Sequence, residues 1–410
     1  MNQVSVKKKP HFKRIVLVFS ILVVMAIGML AVVPAIFPSI GAQVADILRA
    51  VLGPDVVANI ETASFRIQDV VNQKLYWIKG SQSGFTFDTQ NNTQNLVIAT
   101  PSALPISVGA DNQNNMQSPN AVDALPPTVP GVVLASNTNV ITSLPEIGWQ
   151  AYGTEINGNP VMARALLTLD PKRPYAAIAL VRIDLFKLQL HMMPGALEPA
   201  HNWNIMRSIP NMGLTPTVDQ EHIVAGFNGG FKAVNGNYGM MVDNISLLPP
   251  VPGIATLAIY KNGQIRIGVW GTDILPNPDM IAYRQNCPPI IQAGKIAPLV
   301  ADDNRIDWGR TISNNEITWR TAVGLSQDRR YLIYAVGNAT VVSTLAQALQ
   351  MAGAYNAMQL DINKHYAHFV TYTLDLKGRR TAVQLLGQME SDPKLYLVTH
   401  SRDYFYLTTK

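Results

Sequence analysis

The stretch AGFNGGFKAVNGNYG at 225–239 is where residue types and spacing first point to chemistry. Gly229 and Gly230 permit a tight turn with exposed backbone N–H groups, as an anion or sugar site requires, and Asn228 adds an amide able to grip hydroxyls. Gly-Asn turns are also ordinary punctuation in β proteins, so this stretch alone reads equally as a structural turn. His365 and His368 form an HxxH pair that can share a metal or a proton. An HxxH pair with no acidic residue between or beside its members is a weak signal, and surface histidines are the plainer reading. Asp302 and Asp303, in VADDNRIDWGR, offer oxygens to a cation such as calcium or form a solvated loop. No metal site and no cofactor is assigned; a divalent cation is the one left open. The single cysteine, Cys287, rules out an intrachain disulfide framework and a multi-cysteine zinc site, and reads as a small buried hydrophobe. The chain has no GxSxG, GxxxxGK[ST], GxGxxG or HExxH, which counts against serine-elbow hydrolases, P-loop nucleotide hydrolases and zincin proteases.

The elements that must position these residues are mostly strands. Short β-rich runs begin at Arg164, Ala176, Tyr331, Leu395 and Tyr404, separated by turn signals. In TLAIYKNGQIRIGVW, Asn262-Gly263 has the residue types for a two-residue hairpin with positive φ at both positions. One helix follows Ser343 or Thr344, either of which can cap it; Leu345, Ala348, Leu349 and Ala352 make its inner face and Gly353 ends it. A strand, AMQLDI, comes next. Without regular βαβ alternation, the expected fold is α+β, a largely antiparallel twisted sheet with few helices.

Composition sets the outer limits. With 48% hydrophobic and 14% charged residues over 410 positions, wholesale disorder is excluded. Lys7, Lys8, Lys9, Lys13 and Arg14 supply the whole net charge of +5, so no basic folded face invites nucleic acid, which is not an expected partner. From Ile15 to Val33 no charge interrupts the chain, and at helical rise this run reaches about 28 Å, close to the hydrocarbon thickness of a bilayer. The basic cluster before it places residues 1–14 in the cytoplasm, 15–36 as a transmembrane anchor, and the rest outside. A cleaved signal peptide is the rival, but the apolar run is long for one, and the small-residue site at Ala42–Ala45 lies well downstream.

Residues 37–79 are expected as a membrane-proximal helical stem. Val56, Ile60, Ala63, Ile67, Val71, Leu75 and Ile78 recur every three or four positions, with Pro54 in the first turn. The stripe suits a membrane surface, another copy or, most plainly, its own chain. Residues 80–148, rich in Pro, Ser, Asn, Thr and Gln, read as a linker, and 149–410 as one mixed domain.

Four elements agree in order: FNGGF at 227–231, NCPPIIQAGKIAP at 286–298, WRTAVG at 319–324 and AMQLD at 357–361. Together they resemble the phosphodiester glycosidase family, in which an NGG[FY]F-like turn, a proline-glycine segment, an RTAxG strand and a strand ending in LDGGGS follow one another. Asn228, Gly229, Gly230 and Phe231 match the first; Pro289 and Gly294 fit the second; Arg320, Thr321, Ala322 and Gly324 match the third; Leu360 and Asp361 begin the fourth. After Asp361 the chain carries Ile362, Asn363, Lys364 and His365 where the family has GGGS, followed by Tyr366 and His368. These side chains fill or reshape a space that glycines leave open to substrate.

The resemblance implies hydrolysis of a sugar 1-phosphodiester. The leaving group is already a phosphate ester, so cations matter more there than leaving-group protonation. Arg320, a planar fork suited to phosphate oxygens, is then the charge clamp, and Asp361 the base or nucleophile. As plain structure, Arg320 holds a carboxylate and Asp361 caps a turn. Asn228, Gly229, Gly230, Phe231, Gly294, Asn363, His365 and His368 are the expected substrate contacts. The expected ligand is a carbohydrate or sugar phosphate of envelope or exported polysaccharide, met outside the cell by a membrane-anchored hydrolase. A non-catalytic glycan-binding or scaffold protein that keeps the fold is the alternative, and a protein-interaction module built on the stem helix is a third. The oligomeric state is left open.

Overall fold

The computed structural model describes residues 47–49, 51–80, 85–87, 147–199, 209, 212–301, 307–309, 317–374, 380–389, 392 and 394–410. The basic tail, the anchor at 15–36, most of the linker, Asp302 and Asp303 lie outside the described residues. Among those described, no helix is long and apolar enough to cross a membrane.

The described strands form three antiparallel sheets, not one. The first has eight, in the order β1 (Gln150–Ile156), β2 (Asn159–Leu167), β3 (Ile178–Asp184), β14 (Tyr331–Thr340), β13 (Thr318–Ser326), β15 (Ala354–Gln359), β11 (Pro289–Gln292) and β12 (Lys295–Ile296). The second runs β7 (Ile245–Leu248), β6 (Met240–Val242), β10 (Met280–Gln285), β8 (Ala255–Tyr260), β9 (Ile265–Val269). The third runs β17 (Arg380–Gln384), β16 (Phe369–Leu374), β5 (Ile223–Asn228), β18 (Tyr404–Thr409), β4 (Leu188–Met193). Helices are few: α1 (Pro54–Ile78), the single turn α2 (Thr217–Gln220) and α3 (Val342–Met351).

Strand β5 shows why one run of sequence can hold a site. All six of its residues are buried, and it is paired on both edges, by β16 and β18. Phe227 near its end packs on Phe369 of β16 at 6.0 Å, Phe405 of β18 at 5.3 Å and Tyr334 of β14 at 5.3 Å between ring centroids. This aromatic cluster joins the first and third sheets just behind the turn that follows β5. Asn228 therefore leaves a fixed core.

Several local expectations need correction. Only Gly263 takes positive φ at the β8–β9 connection, at 77°; the loop spans three residues, with Gly263 N–H donating to Tyr260 O at 2.8 Å and Tyr260 N–H to Gln264 O at 3.0 Å. A type I turn with a glycine bulge accommodates the strand twist there as well as the expected two-residue turn would. Helix α3 starts at Val342 with no side-chain cap, so Ser343 and Thr344 fall in its first turn, while Gly353 at φ 89° ends it as expected. The run at Leu395 is a turn: Leu397 N–H donates to Lys394 O at 2.8 Å and Tyr396 sits at φ 64°. Its apolar side chains sink into the third sheet's own core beside Tyr404 and Tyr406, and that burial alone imitates a strand pattern.

Helix α1 begins at Pro54, after Gly53 at φ 86°, and so covers the expected apolar repeat but not the whole of 37–79, and it is reversed in facing. It docks on the domain through Asp69, which accepts from Arg173 Nε at 3.2 Å and from the Tyr175 hydroxyl, and through Tyr76, which packs by Tyr175, Ala176 and Ala339. The apolar stripe expected against the chain points away: Ile67 is 61% exposed and Ile78 78%. Beyond the helix, Phe85 is buried in the main core and Phe87 bridges to Leu386, both within the stretch read as linker. Asp69→Ala removes the acceptor of two partly buried donors. It is expected to weaken helix docking by about 1–3 kcal/mol, read as faster amide exchange along α1 with unchanged exchange in β5 and β13.

Candidate functional site

The turn after β5 is held from both sides by two consecutive residues near the C-terminus. Gly229 N–H donates to Asp403 O at 3.0 Å, and Gly230 N–H to Asp403 Oδ2 at 3.1 Å. The same carboxylate receives Arg284 Nε at 2.8 Å, with both side chains only 1% exposed. Arg284 also donates through Nη2 to Phe231 O at 2.5 Å. Of the two N–H groups expected to cradle an anion, that of Gly230 meets one, the chain's own Asp403 carboxylate, and that of Gly229 meets the Asp403 carbonyl. The need for glycine here comes from close approach: a Cβ on Gly229 would fall inside that carboxylate, and one on Gly230 would lie 3.0 Å from Arg284 Cζ.

Arg402 turns to the other side of the turn. Its Nη2 donates to Asp361 Oδ2 at 2.8 Å and to Gly230 O at 2.9 Å. The two ionic side chains are 6% and 7% exposed. Burial opposes the arginine's charge, but Asp361 and Asp403 outweigh it and raise its pKa, so the guanidinium stays charged. Arg402 Nε is buried and has no acceptor among the described residues. The Tyr366 ring lies 4.4 Å from Arg402 Cζ, with Lys232 Nζ 6.0 Å from its centroid. Glu198 accepts from Ala233 N–H at 3.3 Å and acts on Arg402 electrostatically. His400 Nδ1 lies 3.2 Å from Arg402 N. Burial pulls this imidazole below its ordinary pKa, against the hydrogen bond with the Arg402 backbone, and the charge of Arg402 adds to the lowering.

Asp361 sits just past the end of β15, and its position is fixed by the backbone. Asp361 N–H donates to Gly229 O at 3.2 Å, while Asp361 O accepts from Thr321 N–H at 3.0 Å and Thr321 Oγ1 at 2.6 Å. In the loop that follows, Asn363 N–H donates to Asp361 Oδ1 at 2.9 Å and His365 N–H to Asn363 Oδ1 at 2.9 Å. His368 Nε2 lies 2.6 Å from His365 O. Side-chain turns thus order this loop and set Tyr366 against Arg402.

Of the residues expected from sequence, the structure brings together Asn228, Gly229, Gly230, Asp361, Asn363, His365 and His368. Asn228 is spent on structure: Nδ2 donates to Thr321 Oγ1 at 2.9 Å, and Oδ1 accepts from the Tyr334 hydroxyl at 3.0 Å and His368 N–H at 3.3 Å. Arg320 is fully buried and donates to Thr340 O at 3.2 Å, Trp308 O at 2.8 Å and Gln359 Oε1 at 2.8 Å; the cation beside Asp361 is Arg402 instead. Gly294 lies in the β11–β12 turn, where its N–H donates to Tyr355 O at 2.7 Å, at the end of β15 away from Asp361. Phe231 lines a separate hollow of about 240 Å³ with Val234, Asn235, Gly236, Tyr238, Asp307 and Gly309. No group of three or more His, Cys, Asp or Glu able to hold a metal occurs among the described residues. Sequence reading missed Arg402, Asp403 and Arg284. The one available signal was adjacent opposite charges, Arg402-Asp403, opening an otherwise aromatic strand.

The phosphodiester glycosidase family model matches residues 221–361, from just before β5 to Asp361. Among solved structures the chain is similar to the catalytic domain of zebrafish N-acetylglucosamine-1-phosphodiester alpha-N-acetylglucosaminidase, auto-inhibited by its pro-peptide, at 16% identity and a TM-score of 0.41, covering 64% of this chain and 87% of that one. It is also similar to a hypothetical protein from Synechocystis, at 11% identity and a TM-score of 0.38, covering 65% of this chain and 64% of that one. No curated protein matches it.

Gly229→Ala tests the close approach directly. The methyl must displace a buried, ion-paired carboxylate, and a loss of about 3 kcal/mol in unfolding free energy is expected, measured by denaturant titration. A loss below about 1 kcal/mol would show that the turn is not packed against Asp403.

Proposed function

We propose that the protein is a glycosidase-type hydrolase that cleaves a sugar 1-phosphodiester at a site built on Asp361 and Arg402. The observation that carries this reading is the ion pair between them, buried on the turn of the segment that the phosphodiester glycosidase family model matches, with one guanidinium donor unspent. A desolvated donor on a charged group is costly until an acceptor reaches it, and a phosphate oxygen is a matching acceptor. In the proposed reaction the bond between the anomeric carbon and the phosphate oxygen breaks. Arg402 holds the departing phosphate ester and neutralises the charge that develops on it. Asp361 faces the anomeric carbon, as nucleophile or as the base that orients a water. Tyr366 keeps the guanidinium plane fixed by stacking, which suits repeated binding of one oxyanion geometry.

The setting extends the proposal. With the apolar run 15–33 as a bilayer anchor and the basic residues before it inside, the hydrolase works outside the cytoplasm on envelope or exported polysaccharide. The ordered loop Ile362–His368 favours a second reading, a glycan-binding protein that keeps the fold, because it places side chains where an open turn would admit substrate.

The detergent-solubilised full chain, incubated with a panel of hexose and N-acetylhexosamine 1-phosphodiesters, is expected to release reducing sugar. Asp361→Asn should lower kcat/KM by about 10²–10⁴ and Arg402→Lys by about 10²–10³. Turnover that survives both changes removes the site; ligand binding without turnover in the wild type establishes the glycan-binding reading.

A further inference from the structure

We infer that α1 pairs with the α1 of a second copy in a parallel coiled coil. Seven positions of this 25-residue helix fall on a seven-residue repeat, six of them apolar. Ile60, Ile67 and Lys74 take one core position, and Val56, Ala63, Val70 and Trp77 the other, with alternating steps of four and three throughout. That period of 3.5 provides a seam along which two helices can supercoil, and the exposed Val71, Leu75 and Ile78 widen it on one side.

The docking of α1 on its own domain leaves this seam open. Thr62, Asp69 and Tyr76 also recur every seven residues, and it is this column that is spent on the domain, through Arg173, Tyr175 and the Tyr76 cluster. At 100° per residue it lies about 130° from the middle of the seam. The seam residues are correspondingly bare: Ile67 is 61%, Val70 51% and Trp77 68% exposed. Monomeric proteins rarely leave so continuous an apolar line uncovered.

Two features select a second copy over a lipid surface. Lys74 sits in the centre line of the stripe, where a lipid-facing helix would have to sink an ammonium among acyl chains; at a core position of a coiled coil, one lysine instead restricts pairing to particular registers and oligomer states. The flanking column Asn59, Arg66 and Gln73 carries one cation in three positions, short of the basic margin that holds an amphipathic helix on anionic lipid. The chain preceding α1 then sets direction. With residues 15–33 as an anchor, two copies in one bilayer enter their helices from the same side, so they meet parallel and at high effective concentration. Three heptads that pair weakly when free are helped by that tether.

The test is site-specific oxidative cross-linking of the full chain in lipid vesicles, with Cys287 left in place because it is fully buried. Ala63→Cys and Val70→Cys, on the seam, are expected to form covalent dimers at least about tenfold faster than Gln68→Cys, off the seam. Ile67→Glu should convert the detergent-solubilised dimer to monomer by light scattering without shifting thermal unfolding of the domain. Equal or absent cross-linking at all three positions overturns the pairing. So does a monomer whose residues 63 and 70 become protected from thiol reagents only on addition of vesicles, which would give the face to lipid. The cross-linking pattern decides even if Ile67→Glu disturbs folding.

Discussion

The carboxylate of Asp403, enclosed by the N–H of Gly230 and the guanidinium of Arg284, is the constraint from which the site follows. Removing two charges from water is expensive, and such a pair persists only where further hydrogen bonds complete it. Here Arg284 adds bonds to Phe231 O and Gln285 O, and Asp403 adds the glycine turn. The turn is thereby pinned in one geometry, and the next residue back along the chain, Arg402, is delivered to its opposite side. Asp361 and Arg402 meet because Gly229 O and Gly230 O stand at fixed points between them.

The sheets make this meeting possible across long separations in sequence. Asn228 ends β5, Asp361 follows β15 and Asp403 precedes β18; the aromatic packing of Phe227, Phe369, Phe405 and Tyr334 ties β5 to β18, and Asp361 joins them through its N–H on Gly229 O. Because β5 is buried along its whole length and paired on both edges, a shift at the turn would have to move two neighbouring strands with it. Rigidity at the turn is what a charge clamp needs, since an oxyanion is held by position as much as by charge. The chain closes the space beyond with ordered side chains. Asn363 and His365 continue the turn begun by Asp361, and Tyr366 covers the guanidinium.

The sequence disclosed the turn, the strand leading to Asp361 and the resemblance to one family, since glycine pairs, alternation and ordered motifs are local signals. It did not disclose what fills the turn. Glycine tolerates both positive φ and close contact, and only coordinates separate the two; at Gly229 and Gly230 the reason is contact with Asp403 and Arg284. Arg320 drew the role of clamp because its motif is distinctive, yet an arginine buried in a central strand is as well suited to collecting backbone carbonyls, and it does so. Arg402 stood in no recognised motif. Its partners lie 41 and 172 residues away in sequence, a separation that no local pattern encodes. The stem helix shows the same limit: its apolar stripe was evident from spacing, but which face would meet the domain depended on Asp69 finding Arg173 and Tyr175.

The central claim is that Arg402 keeps a donor for an anionic oxygen of the ligand. Its Nε–H resonance in a nitrogen-15-labelled chain, assigned by its loss in Arg402→Lys, reports on this directly during titration with a sugar 1-phosphodiester. A saturable downfield shift, larger than that of the Arg284 Nε–H already paired with Asp403, is the predicted result. An Arg402 signal that stays fixed while the ligand binds would contradict the account.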